Sequence, residues 1–258
     1  MDITFTQMAQ LIGHVWWPFM RFCGLFLIVP IFGDRAIPAQ VRLLLAFIFG
    51  LICSPLIKDV PAFNPFSLNT AVLSATQLIF GFAFGLAVTL FMTIFTMAGQ
   101  AISMQMGLAM AVMNDPSNGV SIAIIGRIFH ITSTLLFLAF DAHLVILSIF
   151  ADSFTYWPIQ DTLPFDSFDH ILKMVSWMFS SSLIVAIPAI ITMLLNNVTF
   201  GFMNRAAPAL NIFALGFPMT MILGLVALTL SISGVGDMYF SFVLEMNDHL
   251  RYLLRLAQ

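Results

Sequence analysis

Apolar residues run along this chain in six long stretches separated by short polar breaks. The stretches are Leu11–Phe32, Val41–Ile57, Leu68–Met97, Ile122–Phe150, Ile171–Leu195 and Pro208–Ser233. A helix needs about 20 mostly apolar residues to cross the hydrocarbon core of a bilayer, and each stretch reaches or approaches that length. Trp16, Trp17, Tyr156 and Trp157 lie near stretch ends, where amphipathic rings favour the membrane interface. Pro188 and Pro218 interrupt the last two stretches. Each removes a backbone hydrogen bond and favours a kink, so the pair reads as a hairpin with two bent arms that turns at Asn204 and Arg205. After Asp237 the pattern changes. Tyr239, Phe242, Val243, Met246, Leu250, Leu253 and Leu254 recur at helical spacing, with Glu245, Asp248, Arg251 and Arg255 mainly on other faces. That is an amphipathic surface helix.

Composition settles the class. Of 258 residues 60% are hydrophobic and 8% charged, and the mean hydropathy is +1.03. Soluble domains carry roughly 25% charged residues, so a water-soluble surface is excluded. The expected fold is an all-α integral membrane protein in one packed helical unit. The net charge of −3 is dispersed, and without a basic run nucleic acid is not an expected partner. Cys23 and Cys53 sit in apolar stretches without CxxC or metal-ligand spacing. The N-terminus lacks the basic region of a secretory signal, so the first stretch is expected to be retained.

Charge does not fix the topology. The break Ala151–His170 holds Asp152, Asp161, Asp166 and Asp169 and no Lys or Arg, which points outside; Arg35, Arg42 and Arg205 mark inside connections. Six full crossings then place both termini outside, yet Arg251 and Arg255 in the tail point inside. Some stretches are therefore expected to cross incompletely or to dip in and return, which requires protein or a wet cavity around them.

Polar residues inside the apolar stretches are the candidates for chemistry. Arg21 at a helix centre would cost roughly 2.5–3.5 kcal/mol, so it needs a partner or a wet cavity. Asp141 and His143, in FLAFDAHLVIL, are either functional intramembrane groups or mark a local break. Small residues recur at four-residue spacing at Gly81 and Gly85, and again at Gly99, Ser103 and Gly107. Such faces let backbones approach closely, within one subunit or against partner subunits. The string Gly234, Gly236, Asp237 matches the GxGD of intramembrane aspartyl proteases, with Asp141 as an imaginable second carboxylate; the ordinary reading is a Gly-rich helix stop followed by an Asp cap. HExxH, GxSxG and the P-loop are absent and Glu245 is the sole glutamate. No enzyme, cofactor or metal site is expected.

Four stretches in order resemble one family. They are MRFCGLFLIVPIFGDRAIPAQVRLLLA (Met20–Ala46), AGQAISMQMGLAMAVMNDP (Ala98–Pro116), FDAHLVILSIFADSFTYWP (Phe140–Pro158) and NRAAPALNIFALGFPMTM (Asn204–Met221). They resemble the FliR family, the R-type export-gate subunits of bacterial flagella and of related virulence secretion systems, and the last stretch is most similar to flagellar forms. The resemblance implies tilted and kinked helical hairpins, with a P-like part over 1–170, a Q-like hairpin over 171–236 and a C-terminal tail over 237–258. It implies a hetero-oligomer with P-type and Q-type subunits (FliP, FliQ) in the inner membrane at the flagellar basal body. The tail would contact FlhB, and exported unfolded flagellar proteins would pass through the channel. It further implies that the loop 107–121 plugs that channel, a role carried onto Gly107, Met110, Met113, Asn114, Asp115, Pro116, Asn118 and Gly119. Met104 and Met106 become candidate wall residues. Methionine is apolar and adaptable, an apolar constriction can gate by dewetting, and glycine supplies a hinge. Without the resemblance these methionines read as gap-fillers in packing. The alternatives are a virulence-type gate subunit, a secondary transporter built on broken helices, or a GxGD protease.

Overall fold

A computed structural model describes residues 5–33, 37–57, 60–61, 63–107, 123–159, 165–206, 212–232 and 234–255. Among these the fold is all-α. The helices are α1 (Phe5–Ile28), α2 (Pro30–Gly33), α3 (Ala39–Cys53), α4 (Leu68–Gln105), α5 (Ile124–Ala139), α6 (Ala142–Tyr156), α7 (Phe165–Ala206), α8 (Ile212–Ile232) and α9 (Val235–Arg255), with a 3₁₀ turn over Ser54–Leu56. All six expected stretches appear, with altered ends. Among the described residues four helices are long and apolar enough to cross a membrane, or five if α5 and α6 count as one broken span. The chain is an all-α membrane protein.

Two helices far exceed the expected length. Helices α4 and α7 have 38 and 42 residues, about 57 and 63 Å at 1.5 Å per residue. The hydrocarbon core is about 30 Å thick, so the excess is taken up by tilt or by projection beyond it. Helices α7 and α8 continue through Pro188 and Pro218. The fourth stretch, by contrast, is broken. Helix α5 stops at Ala139, and Asp141 takes a left-handed conformation (φ 53°, ψ 21°) before α6 begins. It is the one non-glycine residue with positive φ among those described. Aspartate tolerates that region better than most residues, which gives the acid in FLAFDAHLVIL a backbone role at a helix junction.

The chain divides into two compact units, one of Met1–Phe91, Asp141–Val175 and Leu244–Gln258, the other of Met92–Phe140 and Ser176–Val243. In the first, phenylalanines fill the core. The Phe22 and Phe84 rings lie 4.9 and 5.0 Å from Phe150, and Phe80 lies 4.2 Å from Trp157. Helices α1 and α4 approach backbone to backbone. A Cβ on Gly81 would collide with the carbonyl oxygen of Arg21, and one on Gly24 with that of Leu78. Lipid offers no hydrophobic driving force between helices, so such close contact supplies the packing attraction.

The tail is amphipathic, but its apolar face packs on protein. The seven positions of its apolar stripe, Tyr239, Phe242, Val243, Met246, Leu250, Leu253 and Leu254, are buried, while Phe240, Leu244, Glu245, Asp248, Arg251 and Tyr252 are exposed. In the second unit the Tyr239 hydroxyl donates to the Ser133 carbonyl at 2.9 Å, beneath Phe95 at 4.9 Å. Burial pushes this phenol up from its ordinary pKa. In the first unit the imidazole Nε2 of His170 lies 3.2 Å from the carbonyl oxygen of His249, and its ring lies 4.6 Å from that of Tyr252. Asp152 and Tyr156 share a cavity of about 60 Å³ with Arg251 and Leu254. Asp152, at the start of the acid-rich break, and Arg251 of the tail therefore lie close together in this unit.

The close approach predicts that Gly81→Ala loses about 1–3 kcal/mol through overpacking. At Gly201 a methyl group would have nothing within 4 Å, so this position should tolerate Ala or gain about 0.5–1 kcal/mol of helix propensity. Thermal unfolding of the two purified variants in detergent checks this, and equal stability would refute the packing account.

Candidate functional site

The end of α4 is where the second unit carries its candidate function. Three positions on one face of the helix are held by neighbours. A Cβ on Gly99 would lie 2.8 Å from Gly126 Cα and 3.0 Å from the Ile125 carbonyl oxygen, so α4 and α5 meet through paired glycines. Ser103, one turn on, is fully buried, and its hydroxyl finds no hydrogen-bond partner among the described residues. Met106 is 1% exposed and lies against Gly224 of α8, where a Cβ would come within 2.6 Å of its Cγ and Cε. Met104 points away and is 66% exposed. The two candidate wall methionines thus differ: Met106 is a packing anchor and Met104 presents its thioether outward.

The helix ends with a sharp turn. The Met106 amide donates to Ile102 and the Gly107 amide to Met104, each at 3.1 Å. Gly107 has φ 76°. Glycine enters that region without a Cβ penalty, and it is the usual way to stop a helix and redirect the chain. Of the plug candidates only Gly107 is described; Met110, Met113, Asn114, Asp115, Pro116, Asn118 and Gly119 lie outside the described residues.

Arg21 is the polar centre of the first unit. It is 1% exposed on α1. Its Nε donates to Gln77 Oε1 at 2.6 Å, one terminal nitrogen to Ser153 Oγ at 3.1 Å and the other to the Trp157 carbonyl at 3.0 Å. The guanidinium carbon lies 4.6 Å from the Phe80 ring centre and 4.3 Å from that of Phe154. Gln77 is itself held by a bond from Nε2 to the Ile159 carbonyl at 3.2 Å. No carboxylate among the described residues pairs with Arg21. The charge is carried by neutral acceptors and ring faces, a task suited to a planar fork with five donors. It ties α1, α4, α6 and the segment after α6 at one point.

The other candidates are placed as follows. Asp141 is exposed rather than buried, and His143 is half-buried. Gly81 and Gly85 both face α1 of the same chain, Gly85 lying against Leu25, Ile28 and Val29. Asp237 is exposed in the first turn of α9, so the GxGD string forms a helix start. Cys53 is buried and Cys23 half-buried, both free thiols. Among the described residues no cluster of His, Cys, Asp or Glu is arranged to hold a metal.

With this geometry established, comparison with known proteins decides the family. The model of the family described as "Bacterial export proteins, family 1" matches residues 12–246. The chain belongs to the FliR family. It is 33% identical over 228 residues to the flagellar biosynthetic protein FliR of Escherichia coli, covering 87% of this chain and 86% of the relative. It is 34% identical over 227 residues to that of Pectobacterium carotovorum, again covering 87% and 86%. For that of Caulobacter vibrioides the values are 31% over 234 residues, 89% and 92%. Membership makes the chain a membrane subunit of the flagellar export apparatus, a structural component of secretion.

Sequence reading missed several residues that build these sites. Gln77 had a signal, since it is a polar residue in an apolar run and Arg21 needed acceptors; Ser153 lay in the polar break and stood out less. Gly24, Gly126 and Gly224 had none, because a lone glycine in a helix acquires meaning only from the backbone or side chain that approaches it. In this FliR-family chain Arg21→Lys keeps the charge but gathers its three donors on one nitrogen, which cannot span the Gln77, Ser153 and Trp157 acceptors as the planar fork does. It is expected to cost about 1–3 kcal/mol for the acceptors left unpaired, read as a lower unfolding temperature in detergent. Stability equal to the parent would show that the fork is dispensable.

Proposed function

We propose that the chain is the R-type subunit of the flagellar export gate. In this reading it assembles with FliP and FliQ in the bacterial inner membrane at the flagellar basal body. Together they form the protein-conducting channel, with residues 107–121 as the plug that seals it when idle. Family membership supports the system. The observation that carries the plug reading is the end of α4, where a fully buried Met106 is followed directly by a left-handed Gly107. The helix is anchored up to its last turn and ends at Gly107, directly before the segment that bears Met110 and Met113.

Physical requirements favour a seal of this kind. An exported chain in helical form is about 10–12 Å wide, and a bore that size left open would dissipate ion gradients. The closure must exclude ions, yield to a passing chain and ignore its sequence. Methionine thioethers meet the first and third needs, and a glycine hinge at 107 the second. The exposed thioether of Met104 belongs to the channel wall, while Met106 is spent on packing.

The division into a P-like part over 1–170, a Q-like hairpin over 171–236 and a tail over 237–258 belongs to the same proposal. FlhB would read the polar face of α9, since its apolar face is already used by this chain. The exposed face of α9 is mixed and includes Phe240, Leu244, Glu245, Asp248, Arg251 and Tyr252.

Deleting Met110–Gly119 is expected to leave the chain co-purifying with FliP and FliQ while membranes holding the idle complex become leaky to potassium. An assembled complex whose conductance stays at background would refute the plug.

A further inference from the structure

We propose that the polar seam between α4 and α5 is a water-facing wall of the conducting path; this rests on the channel reading above. The two helices run antiparallel, and two contacts set their register. Gly99 lies against Gly126, and Ser133 Oγ lies 4.0 Å from Met92 Sδ. With about 3.6 residues per turn, the next residue on each member of an antiparallel pair turns to the same side. Gln100 and Arg127 therefore share one side of the pair with Thr93 and Thr134. Between these two levels Thr96 Oγ1 lies 3.3 Å from His130 Nδ1. The opposite side holds Phe95 and Phe129, both buried, with Phe95 4.9 Å from the Tyr239 ring.

The chemistry of this side is wrong for hydrocarbon. Thr93, Thr96 and Gln100 follow one another at helical spacing in an apolar helix, and Arg127, His130 and Thr134 do the same on α5. Arg127 is exposed and the other five are half-buried, so the seam is open. Thr134 Oγ1 donates to the His130 carbonyl at 2.9 Å. The Gln100 amide and the Arg127 guanidinium make no side-chain hydrogen bond or ion pair among the described residues. Lipid leaves such groups unsatisfied at high cost. A partner helix would have to bring a matched carboxylate and amide to one narrow strip. Water satisfies the whole seam without any match. The back of α5 supplies the contrast. Ile128 and Leu135 are 51% and 62% exposed, and each follows a seam residue directly in sequence. They sit at the same depth, about a quarter turn away, and are wholly apolar. The helix pair thus has a wet side and a dry side. Hydroxyls and an amide on the wet side offer hydrogen bonds to a passing backbone, whose polar groups every exported chain carries.

The test uses the full chain co-expressed with FliP and FliQ in membranes, with Cys23 and Cys53 replaced by alanine. Single cysteines are introduced at Gln100 and Thr134 on the seam and at Ile128 and Leu135 on the back. Labelling by a permanently charged methanethiosulfonate is followed in the complexes that co-purify. Gln100→Cys and Thr134→Cys are expected to react at least about tenfold faster than Ile128→Cys and Leu135→Cys, because a fixed charge is excluded from hydrocarbon. A flagellar substrate fused to a folded domain, stalled in the gate, is expected to slow the seam thiols and leave the back unchanged. Seam thiols as protected as those of the back, in a complex that co-purifies, would overturn the wet side. Rapid labelling that the stalled substrate does not slow would overturn its place in the conducting path. Should Gln100→Cys fail to assemble, Thr134→Cys, which is nearly isosteric, decides alone. The export-gate reading fails separately, if the cysteine-free parent does not co-purify with FliP and FliQ.

Discussion

A guanidinium buried without a counter-charge sets the terms for the first unit. Removing Arg21 from water is costly, and no carboxylate repays that cost among the described residues. The charge is instead distributed over Gln77, Ser153, the Trp157 carbonyl and two phenylalanine rings. These acceptors come from separate elements, so the arginine is satisfied only when α1, α4 and α6 are all in place. A half-formed network leaves a buried charge unpaired, which is worse than an apolar core. Arg21 therefore acts as a condition on the fold: the elements dock together or the cost is not met.

Glycine carries the complementary constraint. Gly24 and Gly81 let two backbones touch beside that same arginine, and Gly81 receives the Arg21 carbonyl where a methyl would stand. In a bilayer the gain from helix contact is chiefly van der Waals attraction, which falls quickly with distance. Small residues thus do in this chain what large apolar ones do in a soluble core. The second unit repeats the device with Gly99 against Gly126 and Met106 against Gly224.

The membrane setting also changes what exposed apolar residues mean. Phe47, Ile191, Phe202 and many others are open on this chain. In water such faces would drive aggregation; in a hydrocarbon core, or against partner subunits of an export apparatus, they are ordinary. The tail shows the reverse case. Helix α9 has the amphipathic pattern of a surface helix, yet its main apolar stripe is consumed by its own chain, leaving a mixed face with Phe240 and Leu244 beside the charged residues.

By itself the sequence determined the class, the six apolar stretches, the helical tail and the family. Hydrophobic length, charge scarcity and ordered motifs are local properties, readable one residue after another. It also identified Arg21 as a group needing partners, since cost depends on residue type. Which groups answered it, and which glycines mattered, only the tertiary structure decided. Gln77, Ser153 and Trp157 lie 56 to 136 positions from Arg21, and nothing in spacing links them. Asp141 read either as an intramembrane acid or as the mark of a local break, and its left-handed backbone at a helix junction agrees with the break. Asp152 and Arg251, far apart in sequence, line one cavity, a proximity no spacing announced. Local pattern fixes what each segment is; contact between distant segments fixes what each residue is for, because packing and charge satisfaction are properties of neighbours in space.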